Sequence, residues 1–361
     1  LHIFFPLSFI LYPVRKIHSY KRQSLKYKGP ELSSLKAFSL LDLAPIIEGA
    51  SARDALVNSR DLAQHAERMG YKRYWMAEHH NSTGIASAAT SVALGYVAEG
   101  TSTIRVGAAG VMLPNHSPMI IAEHYGTLAS LYPQRVDLGL GRAPGTDGKT
   151  AYAIRRDNFR ADETFPQDVQ ELQAYFHEGY HNIKAVPGHG LHVPLWILGS
   201  SLFGAQLAAA LGLPYLFASH FAPDQLDQAL AIYREQFKPS AQLSEPYCGA
   251  AINCFAADSD EEGRALMRGV MQGFIYLRRG QPGPLKPPAE NLSDIASPQE
   301  IAMAEQVLCE SAVGSRQSAS SFIERFLERT RADELILTCH CYDHEARVKS
   351  FGIGADILKS L

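Results

Sequence analysis

Eight short apolar runs, each followed by a segment of helical period, limit what this chain can fold into more than any other feature. The runs cover residues 35–43, 71–77, 103–113, 135–140, 194–198, 214–218, 249–257 and 334–338. Between the first two, SARDALVNSRDLAQHAERMG carries a helix start at Ser51 with Asp54 three residues on, and a stop at Gly70. Its Ala52, Ala55, Leu56, Leu62, Ala63, Ala66 and Met69 share one face. Strands alternating with helices read as βα units on a parallel sheet. Eight such units predict an α/β chain closed into a (β/α)8 TIM barrel, whose chemistry gathers at the carboxyl ends of its strands.

At 361 residues the chain exceeds the roughly 250 typical of that barrel, so it must carry additions. One is the proline- and glycine-rich stretch 278–299, an insertion between strand 7 and strand 8, expected to form a lid over the site. Another is the start of the chain. Its apolar run LHIFFPLSFILYP precedes its positive charge and is too short to span a bilayer comfortably. Residues 1–33 are therefore expected to be an N-terminal extension outside the fold, with the barrel occupying 34–361.

Composition removes several function classes. A net charge of −3 without a long lysine and arginine run argues against a nucleic-acid partner. No stretch reads as a membrane span. Five cysteines, Cys248, Cys254, Cys309, Cys339 and Cys341, are an odd number in a large chain and suit free thiols in a cytoplasmic protein.

The strand ends hold the candidate chemistry. Tyr71 to Ala77 runs into Glu78, His79 and His80, and in extended chain the two imidazoles point to opposite faces, so they do not readily share one metal. Thiolate and imidazole in CHCYDH, Cys339 to His344, could serve zinc, but no HExxH or CxxC accompanies them and no metal site is assigned. After the third strand, Gly107, Ala108, Ala109 and Gly110 leave room for a flat ring to approach the backbone. LGLGRAPG lacks the dinucleotide fingerprint, yet it delivers Arg142 from a glycine-lined strand end, suited to bidentate contact with phosphate. Gly199, Ser200 and Ser201 open a helix whose unpaired N–H groups favour an anion.

Taken as a set, Glu78-His79-His80, Ala108-Ala109, Gly141-Arg142 and Gly199-Ser200-Ser201 resemble the luciferase-like flavin monooxygenases, in an order that covers the chain from about Leu35 onward. FSLLDLAPI and LGLGRAPGTD look especially like a bacterial branch of oxidoreductases in that family.

The resemblance implies reduced FMN from a separate flavin reductase, reaction with oxygen through a flavin hydroperoxide, a small-molecule substrate and a homodimer. It implies His79 as the catalytic histidine, acting as general base or hydrogen-bond partner, with Glu78 orienting its ring. It also implies a cis peptide at the Ala108-Ala109 bond beneath the flavin, and Arg142 and Ser200 on the flavin phosphate. Gly141 stands where the light-emitting subunit of luciferase has a reactive cysteine, Gly199 where it has an acidic residue, and His116 is one place from a family histidine. These departures count against light emission and an aldehyde substrate. The alternatives are a deazaflavin (F420) hydride-transfer oxidoreductase, a non-catalytic flavin-binding partner subunit and a metal-dependent barrel hydrolase.

Overall fold

A computed structural model describes residues 35–155 and 163–361, so the expected extension, 1–33, lies outside the described residues. The strands are β1 (Ala37–Asp42), β2 (Arg73–Met76), β3 (Arg105–Met112), β4 (Val136–Gly141), β5 (Leu195–Gly199), β6 (Tyr215–Phe217), β7 (Cys248–Ala257), β8 (Ser311–Ser315) and β9 (Glu334–Thr338). The helices are α1 (Ala52–Arg68), α2 (Thr90–Glu99), α3 (Pro118–Leu131), α4 (Gly148–Ile154), α5 (Phe165–Phe176), α6 (Leu202–Leu211), α7 (Leu226–Gln236), α8 (Asp260–Arg278), α9 (Pro298–Val307), α10 (Arg316–Thr330) and α11 (His344–Leu358).

Every strand pairing is parallel. The order β6-β5-β4-β3-β2-β1-β9-β7 closes on itself through β6–β7, which makes the expected eight-stranded TIM barrel. All eight runs anticipated from the sequence became its staves. A ninth strand, β8, was not anticipated. β7 is ten residues long, so its first half, Gly249 to Asn253, pairs with β9 inside the ring while its second half, Asn253 to Ala257, pairs with β8 outside it. The sequence of β8, SAVGS, is too short and small to stand out as a hydrophobic run. Helices α4 and α9 were likewise not anticipated, and part of the helical stretch expected from Phe159 lies outside the described residues.

Local chemistry explains the regular parts. Ser51 accepts from the Asp54 backbone while Asp54 accepts from the Ser51 backbone, a full capping box on α1, whose Ala55, Leu62, Ala63 and Ala66 are buried. Gly70 then takes left-handed geometry, with φ +81°, which turns the chain into β2.

Alternation along the staves sorts two cores. Leu41, Trp75, Ala77, Trp196, Leu216, Ala251 and Ile336 fill the barrel interior, with Trp75 and Trp196 edge-to-face at 5.0 Å. Residues of opposite parity, such as Leu40, Tyr74, Val106, Leu138 and Leu335, form a larger core with the helices.

The amino end of the barrel is closed by charge. Arg73 meets Asp137 at 2.7 Å and Glu334 at 2.9 Å, Arg105 meets Asp137 at 2.6 Å, and Ser39 and Tyr247 donate to Glu334. Burial pushes the Asp137 carboxyl up, but the two guanidinium groups outweigh it and hold it below the usual range. A cleft of about 420 Å³ lies at this same end, lined by Leu35, Phe38, Tyr71, Arg105 and Leu358 among others. Barrel chemistry belongs to the opposite end.

The insertion does reach the carboxyl rim. Leu285 donates to the Ile46 carbonyl and accepts from Glu48, and Gly84 packs so tightly on Gly283 that a Cβ there would lie 2.2 Å from its carbonyl oxygen. Gln272 of α8 adds hydrogen bonds to Pro287 and Ala289. The stretch is thus tied across the loops that follow β1 and β2. No described helix is long and apolar enough to cross a membrane.

Candidate active site

The period of β2 decides what each residue of the Glu78-His79-His80 cluster can do. Trp75 and Ala77 face inward, so His79 continues the inward face over the barrel mouth, while Glu78 and His80 fall on the other side. Enclosure follows: Nδ1 of His79 is buried without a hydrogen-bond partner. Burial lowers the His79 pKa, the Glu78 charge working against it and His80 adding to it.

Glu78 does not orient His79. Its buried carboxylate offers Oε1 to His80 Nε2 at 2.8 Å and to His116 Nε2 at 2.7 Å. Burial pushes this carboxyl up, yet the hydrogen bonds from His116 and His80 more than offset it and its pKa is lowered. The correction has a simple cause, because residues adjacent in a strand point to opposite faces and cannot easily bond each other. Glu78, His80 and His116 are also the group that could hold a metal ion among the described residues, in place of Cys339 and Cys341. Those two thiols are buried, with sulfurs 3.7 Å apart.

Strand β3 needs a second correction. The non-proline cis peptide is Ala109–Gly110, not Ala108–Ala109, and it sits where the β3–β4 register shifts between Ala108 and Val111. Ala108 is fully buried toward the helices, whereas Ala109 joins the inner cluster below the mouth. A Cβ on Gly110 would lie 2.8 Å from the Gly139 carbonyl, so the two backbones approach as only glycine allows.

The two anion-friendly strand ends are brought together. β4 and β5 are neighbours, with Gly141 opposite Leu198. Arg142 is exposed and its guanidinium lies 4.2 Å from the centre of the Phe203 ring, in the first turn of α6. It has no ion-pair partner among the described residues. Ser201, the N-cap of α6, makes no side-chain capping bond, leaving hydroxyl and first-turn N–H groups open to an anion. Gly199 packs against Gly204, its built Cβ 3.9 Å from the Gly204 Cα, which lets the helix start close to the strand. Ser200 follows Trp196 and Leu198 in parity and so belongs to the mouth.

Two further buried histidines are not singled out by the sequence as site residues, His220 in the turn after β6 and His340 just after β9, each with an Nδ1 that has no hydrogen-bond partner. Before His220 the strand alternation has ended, since the Ser219 N–H turns back onto the Phe217 carbonyl.

The sequence model of a family described as luciferase-like monooxygenase matches residues 38–332. A luciferase-like monooxygenase of Escherichia coli K12 is 52% identical over 327 residues, covering 90% of this chain and 98% of the relative. The crystal structure of apo-MsnO8 has a TM-score of 0.84 at 29% identity, covering 90% and 98% of the two chains. The oxygenating constituent of 3,6-diketocamphane monooxygenase from Pseudomonas putida, solved with FMN, shares the fold at TM-score 0.66 and 17% identity, covering 89% and 97%. An F420-dependent secondary alcohol dehydrogenase shares it at 0.61 and 16%, covering 88% and 97%.

Proposed function

Because the chain belongs to the luciferase-like monooxygenase family, we propose that it uses reduced FMN and molecular oxygen to oxygenate a small organic substrate. The observation that carries this reading is Arg142 beside the open start of α6, on the same rim as His79. A flavin fits the residues present. A phosphate tail matches the guanidinium and the uncapped N–H groups, and a planar ring matches the small inward side chains of β3 and the unpartnered imidazole of His79.

Bound reduced flavin supplies the electrons and the activation of oxygen, and in this reading a separate flavin reductase provides it. The protein contributes position, polarity and dryness. Arg142, Ser200, Ser201 and the first turn of α6 hold the phosphate. Ala109 and Gly110 give the ring a close approach to β3. The insertion tied across the β1 and β2 loops keeps water from that side of the mouth.

His79 works through Nε2. Its Nδ1 is sealed without an acceptor, so a proton there would be buried unpaired, and the neutral tautomer favoured by that enclosure carries Nε2–H. His79 is thus a hydrogen-bond donor to the reacting oxygen rather than a general base, since accepting a proton would leave Nδ1–H stranded.

The test is to mix the protein with reduced FMN under air, without a second chain, and follow flavin absorbance and oxygen uptake. Reoxidation kinetics altered by the protein support the reading. Reoxidation indistinguishable from free FMN, together with saturable binding of F420, replaces it with the deazaflavin hydride-transfer reading.

A further inference from the structure

Of the buried carboxylates on or just past the staves, Glu78 is the one that no arginine meets among the described residues. Asp42 meets Arg347 at 3.1 Å, Asp137 meets Arg73 and Arg105 at 2.7 and 2.6 Å, and Glu334 meets Arg73 at 2.9 Å. Glu78 has only the Nε2 atoms of His80 and His116, at 2.8 and 2.7 Å, and both lie on Oε1. Its other oxygen accepts no hydrogen bond among the described residues. A buried carboxylate is stable where a cation pairs with it or where it coordinates a metal.

Three ligand atoms converge at this carboxylate. Glu78 and His80 stand two residues apart past the end of β2 and so share a side, away from His79, while His116 arrives from the turn after β3. One carboxylate oxygen and two imidazole nitrogens all lie within 4.8 Å of one another. Zinc bonds of about 2.0–2.2 Å in a tetrahedral array set neighbouring ligand atoms about 3.3 Å apart. An ion therefore asks each N···O pair to open by about half an ångström.

Other bonds fasten the loops that carry these ligands. The Thr146 hydroxyl donates to the His80 carbonyl at 3.2 Å, Arg155 donates to the His116 carbonyl at 3.0 Å, and the His116 N–H closes its turn on the Leu113 carbonyl at 2.9 Å. The imidazoles thus stay in place when Nε2 exchanges a hydrogen bond for a metal bond. Their side chains are 16% and 22% exposed, which gives an ion a way in and a coordination position facing solvent. Two nitrogens with one carboxylate oxygen favour a first-row transition cation such as zinc over magnesium or calcium, which take all-oxygen shells.

We propose that Glu78, His80 and His116 bind one divalent transition-metal ion through Oε1 and the two Nε2 atoms, with a further coordination position open to water. Binding exchanges protons for the ion. Each imidazole coordinates in its neutral form through Nε2 and carries its one remaining proton on Nδ1, any second proton leaving to solvent. The ion then replaces the two hydrogen bonds as the tie between the end of β2 and the turn after β3. Because the site lies off the inward face of His79, it does not depend on the flavin reading above.

The full-length protein, stripped of metal with a chelator and dialysed, is titrated calorimetrically with Zn2+ beside its Glu78→Gln, His80→Asn and His116→Asn variants. Circular dichroism without metal checks that each variant is folded. A double variant, His177→Asn with His192→Asn, controls for the exposed imidazole pair whose Nδ1 atoms lie 2.6 Å apart. The wild type is expected to take one zinc ion per chain with a dissociation constant of about 1 μM or below, to give visible absorption bands with Co2+, and to ignore Mg2+. Each single substitution weakens Zn2+ by more than about a hundredfold, beyond the cost of losing a supporting hydrogen bond at a metal site, while the double variant binds as the wild type does. Zn2+ also shifts the imidazole nitrogen resonances of His80 and His116 in the wild type, a readout that needs no variant. No saturable Zn2+ binding, binding unaltered by the three substitutions or lost only in the double variant, or resonances that stay in place overturn the site and leave Glu78 as a hydrogen-bonded brace. No flavin enters these titrations, so their failure leaves the flavin reading standing.

Discussion

Glu78 and His116, 38 residues apart in the chain, are joined by a hydrogen bond of 2.7 Å that ties the end of β2 to the turn after β3. The same carboxylate oxygen takes His80. One buried acid thus braces two loops of the rim, and His79, between Glu78 and His80 in the chain, is left out of the network. Replacing Glu78 by Gln removes the charge that both imidazoles donate to. The variant is expected to lose about 1–3 kcal/mol in urea unfolding, the cost of weakening a buried hydrogen-bonded pair, while flavin affinity changes little.

For His79→Ala the expectation differs in kind. Its ring lies outside the phosphate seat at Arg142 and α6, so flavin affinity falls by no more than about tenfold. Loss of a donor aimed at the reacting oxygen costs about 10²–10³ in turnover. Comparing the flavin dissociation constant with the rate of substrate oxidation in the folded variant checks this split. Equal losses in both would reduce His79 to a binding residue.

Acid should destabilise the barrel in a defined window. His220 and His340 have folded pKa values of about 3 and about 4, below the ordinary value near 6.5, so the unfolded chain binds protons first as pH falls. Their contribution is complete above about pH 6.5 and is lost as pH drops toward those folded values, on the order of 1 kcal/mol per pH unit for each ring. Glu78 has the same sign in a lower window: its pKa is lowered, so its stabilisation is present above about 4.3 and lost below it as the folded carboxyl titrates. Urea midpoints measured from pH 7 to pH 4.5 should decline, and His220→Gln should flatten the decline.

The staves of the barrel were legible because hydrophobic alternation between strand and helix is a property of local sequence. The strand ends were legible as well, since a parallel barrel displays its chemistry there whatever the residues are. Partners across space were not. Glu78 is adjacent to His79 in the chain, and only the pleat, which turns neighbours to opposite faces, shows that its partners are His80 and His116. The cis bond was displaced by one residue because Ala108, Ala109 and Gly110 are alike in size, and the register shift that separates them depends on β4. β8 was invisible because its five small residues acquire meaning only against the outer half of β7. His220 was not readable either, because the Ser219 N–H turns back onto the Phe217 carbonyl and ends the alternation of β6 before it.

The central claim is that Arg142 and the start of α6 seat a phosphate while the ring lies over the mouth. The most direct measurement is the affinity of FMN against riboflavin for wild type and Arg142→Ala. The account predicts that wild type prefers FMN and that the substitution weakens FMN by about ten- to a hundredfold, the range of a charge-assisted hydrogen bond, with riboflavin unchanged. Equal affinity of the wild type for both flavins, or an Arg142→Ala variant that still prefers FMN to the same degree, would contradict it.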